Sequence, residues 1–119
     1  MKTFFKILGI VFAALFIYAV VVQYNDPDAL MWYAIYGIAA LASILFFMER
    51  LNLLSAVVLT IAYLIGVFVI WPEQFEGVTI GEGDIVNIER GREALGLLIV
   101  GVVMAVYAFR IRFVGKSKV

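Results

Sequence analysis

The sequence predicts an all-α integral membrane protein, a four-helix transmembrane bundle with both termini cytoplasmic and a longer acidic outer connection between helices 3 and 4. Three observations lead there. Of 119 residues, 66% are hydrophobic and 15% charged, with a mean hydropathy of +1.09, against roughly 45–50% and 25% in soluble domains. The apolar residues gather in four long windows nearly free of charge. The cations fall almost all on one side of those windows.

A hydrocarbon core about 30 Å thick takes about 20 mostly apolar helical residues. Residues 29–48 and 53–71 carry no charge, and residues 4–22 carry only Lys6, close enough to an end to snorkel to the headgroups. Each is long enough to span. The fourth window, residues 94–109, is shorter, so the span is expected to recruit Arg92 and Glu93 and to run over 92–109. Residues 1–119 then form a single four-span domain. Lys2 and Lys6 ahead of an apolar run also suit a secretory signal. The run exceeds the usual signal length and residues 18–23 lack a small-x-small cleavage site, which argues for a retained first span.

Four spans place both termini on one side. Lys2, Lys6, Arg50, Arg110, Arg112, Lys116 and Lys118 lie there, against Arg90 and Arg92 opposite, so the terminal side is expected to be cytoplasmic. Asp26, Asp28, Glu73, Glu76, Glu82, Asp84, Glu89 and Glu93 fall outside, leaving Glu49 within. A bacterial cytoplasmic membrane is the expected location.

Composition also excludes several functions. Nine Lys and Arg balance nine Asp and Glu, giving no net attraction to nucleic acid. The chain has no Cys or His, which removes disulfides, thiolate chemistry, imidazole haem ligation and the usual zinc ligands. No Asp, Glu, Lys or Arg lies mid-span, unlike in proton pumps, ion-coupled transporters and voltage sensors. Tyr18, Ser43, Thr60, Tyr63 and Tyr107 supply mid-membrane hydroxyls, which bond to backbone or neighbouring helices.

Each span contains a small-xxx-small pair: Gly9 and Ala13, Ala39 and Ser43, Ala62 and Gly66, Gly101 and Ala105. Such pairs let helix backbones approach, within the chain first and in a homo-oligomer as the alternative. Tyr24, Trp32, Tyr33 and Trp71 stand at the expected outer ends, where an aromatic belt anchors a membrane protein.

The outer connections hold the candidate site. In residues 23–28, Asp26 suits the N-cap of the second span, Pro27 its first helical position, and Asp28 its first turn. Asn25 tolerates the left-handed conformation that ends a helix. Residues 72–92 are acidic and exceed ordinary loop length. Val78, Thr79 and Ile80 make too short a run for more than an edge-like strand. Asp84 suits the cap of a short amphipathic helix bearing Ile85 and Ile88, which either runs into the fourth span or breaks at Gly91. On a helix Glu89 and Glu93 are neighbours, with Arg92 three residues after Glu89. Two readings stand side by side. Gln23, Asn25, Asp26, Asp28, Glu89, Arg92 and Glu93 form a structural polar cluster, in which Arg92 bonds Asp26, Asp28 or Glu89 at partial depth. Alternatively Asp26, Asp28, Glu89 and Glu93 are hard oxygen donors for a divalent cation. No cofactor and no catalytic residue is assigned.

Gln23-x-Asn25-Asp26-Pro27-Asp28, followed by Trp32 and Tyr36, and later Glu89-x-Gly91-Arg92-Glu93-x-x-Gly96-Leu97, resemble the two signature segments of the transmembrane protein 220 family. The likeness covers nearly the whole chain in order and spacing. Tyr24 departs from the smaller apolar residue of some members, which bears on anchoring more than on the turn. The resemblance implies a four-helix membrane protein with both motifs on one side. It implies no substrate.

The leading expectation is a non-enzymatic scaffold or accessory protein in the lipid bilayer, with a membrane-protein partner or a second copy of itself. A cation- or small-solute-binding protein is the alternative. An intramembrane enzyme would have carboxylates as acid and base but no His, Cys or nearby serine to work with.

Overall fold

The computed structural model describes residues 3–25, 28–72, 74–75 and 83–117, the side chains of residue 25 and residues 114–117 excepted. Four α-helices account for most of them: α1 (Thr3–Val21), α2 (Ala29–Phe47), α3 (Leu53–Ile70) and α4 (Ile85–Ser117). A 3-10 turn, Val22–Asn25, follows α1. Among the described residues there is no strand, and the Val78–Ile80 run lies outside them.

All four helices are long and apolar enough to cross a membrane. At 1.5 Å per residue, α1, α2 and α3 measure about 27–29 Å, close to the hydrocarbon thickness. Helix α4 has 33 residues and measures about 50 Å, so it overhangs the span. Its start is Ile85 rather than residue 92. Two bonds fix that start: the amide of Val86 donates to Asp84 Oδ1 at 2.9 Å, and the amide of Ile88 donates to the Asp84 carbonyl at 3.0 Å. Ile88 is fully buried. Its burial anchors the polar first turns, and Gly91, itself buried, does not break the helix. A mid-helix glycine costs only about 1 kcal/mol.

The chain divides into two compact units, Met1–Leu53 with Ile111–Val119, and Leu54–Arg110. The first contains the α1–α2 hairpin. A Cβ on Gly9 of α1 would lie 3.1 Å from Phe46 Cδ2, 3.3 Å from the Ser43 carbonyl oxygen and 3.4 Å from the Phe47 amide nitrogen. Gly9 thus rests on the backbone of α2. Both small pairs of this hairpin, Gly9 with Ala13 and Ala39 with Ser43, are buried, and Phe16 and Phe46 fill the space around them.

Helix α2 ends in a Schellman motif. The Glu49 amide donates to the Phe46 carbonyl at 3.0 Å and the Arg50 amide to the Leu45 carbonyl at 2.8 Å. That geometry needs a left-handed residue after the cap. Glu49 takes it, with φ 60, although a side chain there costs about 1–2 kcal/mol that glycine would not. Its carboxylate meets Lys6 Nζ of α1 at 3.6 Å. The pair ties the start of α1 to the end of α2.

In the second unit two leucines sit on two glycines. A Cβ on Gly66 of α3 would meet Leu97 Cδ1 of α4 at 3.2 Å; one on Gly101 of α4 would meet Leu64 Cδ2 of α3 at 3.0 Å. Of the small pair expected on α3, only Gly66 joins this seam, because Ala62 is exposed. Thr60 Oγ1 donates to the Ala56 carbonyl at 2.8 Å within α3, the back-bonding expected of a mid-membrane hydroxyl.

Candidate functional site

Where α1 gives way to α2, Gln23 Nε2 donates to the Ala19 carbonyl at 3.1 Å. This satisfies one of the carbonyls that a helix C-terminus leaves without an amide partner. Asn25 closes the 3-10 turn, so a short tight turn stands where a left-handed end to α1 was expected. The Asn25 side chain, Asp26 and Pro27 lie outside the described residues, and with them the cap and first-position roles expected of Asp26 and Pro27. The cap of α2 is Asp28, at φ −101 and ψ 31, and its side chain makes no capping bond. Its carbonyl accepts the Trp32 amide at 3.2 Å. The helix therefore starts later than turn chemistry suggests, and Asp28 precedes the first turn rather than occupying it.

Trp32 also departs from expectation. It is 2% exposed, with its ring stacked on Tyr36 at 6.0 Å between centroids, so it is a core residue and not a belt anchor. Its size and its Tyr36 neighbour one turn on favour packing over exposure. Among the described residues the buried indole Nε1–H has no acceptor. Such a donor costs about 1–3 kcal/mol. Tyr24 and Trp71, by contrast, are exposed, and Trp71 stacks on Phe75 at 5.2 Å.

The second signature segment lies in the opening turns of α4. Asp84 caps the helix, Glu89 and Arg92 are exposed, and Glu93 is half-buried. The partly buried setting expected for Arg92 is therefore absent. The first turns of α4 extend ahead of the apolar window, so a long side chain there reaches solvent. Among the described residues Glu89 and Arg92 form no ion pair. Asp28 belongs to the first unit and Glu89, Arg92 and Glu93 to the second. Among the described residues no three Asp or Glu gather as a metal-ligand cluster.

Four helices long and apolar enough to cross a membrane define a multi-pass integral membrane protein. The model of the Transmembrane family 220, helix, matches residues 15–109, and the chain belongs to that family. The matched stretch runs from the middle of α1 to the end of the apolar window of α4 and contains both signature segments. No curated protein and no solved structure matches the chain.

Proposed function

We propose that the protein is a non-enzymatic structural or accessory protein, a small scaffold of a bacterial cytoplasmic membrane with both termini cytoplasmic. What supports this reading most is how the polar side chains are used. Gln23 closes α1, Asp84 opens α4, Lys6 ties α1 to the turn after α2, and Thr60 bonds within α3. These groups serve the chain's own helix ends and backbone. Meanwhile large apolar side chains on α1 and α3, among them Leu15, Leu54 and Phe68, are exposed, offering surface to lipid or to a partner helix.

The buried indole of Trp32 favours a second reading, a small-solute site with an acceptor oxygen, while Asp28 in one unit and Glu89 with Glu93 in the other are separate cation candidates among the described residues. The complex purified in mild detergent separates the two. The scaffold reading expects a partner protein or a second copy in fixed ratio. A stoichiometric metal or solute, lost in D28N/E89Q/E93Q or in W32F, would replace it with the second reading.

A further inference from the structure

Beyond its apolar window α4 stays helical to Ser117. In that tail Arg112 is followed by Phe113. Arg112 is exposed, and Phe113 is 57% exposed. The tail from Ile111 groups with the first hairpin. It thus shares a compact unit with Lys6 of α1 and with Arg50, exposed just beyond α2. Among the described residues the acid at this end is Glu49, and Lys6 already holds it at 3.6 Å. Exposed Phe4, Met48 and Phe113 accompany the cations.

Excess positive charge beside exposed apolar side chains, at the limit of the spanning helices, fits one partner on two counts. A lipid phosphodiester brings negative charge at headgroup depth, and its acyl chains lie directly below. An acidic protein segment would answer the charge but leave Phe113 and Met48 uncovered. We propose that Arg50 and Arg112 form a site that selects anionic phospholipids, taking the phosphodiester while Phe113 and Met48 lie against the acyl chains. The site is independent of the scaffold reading, since it requires no partner protein.

The test uses the full chain reconstituted in vesicles of phosphatidylcholine mixed with phosphatidylglycerol, then extracted in mild detergent, with the retained lipid measured by mass spectrometry. Phosphatidylglycerol should be enriched over the vesicle ratio. In R50Q/R112Q the enrichment should fall by roughly five-fold or more, the effect of losing a single basic side chain near an anionic surface. R50K/R112K should keep it, and so should R90Q/R92Q at the opposite helix ends. High salt should weaken the enrichment in the wild type, a readout that holds if the double variant does not fold. Retention at the vesicle ratio in the wild type, enrichment indifferent to salt, or unchanged enrichment in a folded R50Q/R112Q variant would overturn the proposal. So would an acidic protein held through these cations with lipid at the vesicle ratio.

Discussion

In the first hairpin Gly9 lies against the backbone of α2, between the Ser43 carbonyl and the Phe47 amide; in the second, Gly66 and Gly101 each receive the end of a leucine from the facing helix. The sequence signal is the same in both, a small residue recurring at helical spacing. The physical situations differ. A helix backbone is tied by its own hydrogen bonds and cannot move aside without shifting the whole helix, whereas a leucine terminus rotates about its side-chain bonds. The α1–α2 contact therefore tolerates less than the α3–α4 contact, although both are tight.

The largest expected effect tests that contrast. Gly9→Ala should lower stability by about 1–3 kcal/mol, the range for overfilling a packed site. Gly66→Ala and Gly101→Ala should each cost less, because Leu97 and Leu64 can re-seat. Thermal unfolding in detergent measures all three. Equal losses would mean that the leucines are as fixed as the backbone, and the comparison would fail.

A second test concerns the turn after α2, which Glu49 closes in a left-handed conformation while holding Lys6. Glu49→Gly and Glu49→Ala both lose the ion pair, but only glycine relieves the backbone. The glycine variant should be the more stable of the two by about 1 kcal/mol. The pair itself, partly exposed on both sides, contributes about 0.2–1 kcal/mol. If the two variants unfold together, the left-handed residue carries no strain.

Gly37 sharpens the comparison from the other direction. It stands within α2 with nothing within 4 Å of a Cβ placed on it. Gly37→Ala should stabilise the hairpin by about 0.5–1 kcal/mol through backbone entropy alone. A destabilised variant would reveal a contact at this face. The smallest effect is expected at the start of α4, where Arg90→Ala and Arg92→Ala, both exposed, should differ from each other by less than about 0.5 kcal/mol.

Spans were legible because the bilayer imposes length and composition on every helix that crosses it, and the windows over α1, α2 and α3 needed no knowledge of packing. The start of α4 was legible only as an alternative. Residues 85–93 mix apolar Ile85, Val86 and Ile88 with polar and charged residues, and Gly91 among them gives no sequence reason to prefer continuity. Only the burial of Ile88 decides it. The small-residue pattern located Gly9 and Gly101 but not what each touches, since that depends on the facing helix. Trp32 was misplaced because an aromatic in the first turns of a span resembles a belt residue until its burial is known. Glu49 left no trace at all, glutamate being an unusual choice for a left-handed helix end. Of the polar cluster, Gln23 stands in a turn as its sequence suggests, and the cap of α2 is Asp28, a position that turn preferences do not fix because they leave helix register open.

Four spans with both termini inside are the central expectation for this protein, and the absence of cysteine from the chain makes it directly measurable. Single cysteines at Gly83, ahead of α4, and at Ser117, at its end, lie on opposite sides of the expected membrane. In intact cells a membrane-impermeant thiol reagent should label Gly83→Cys at once and Ser117→Cys only after lysis. The reverse pattern would contradict the orientation read from the cations, and labelling of both from outside would contradict the crossing of α4 itself.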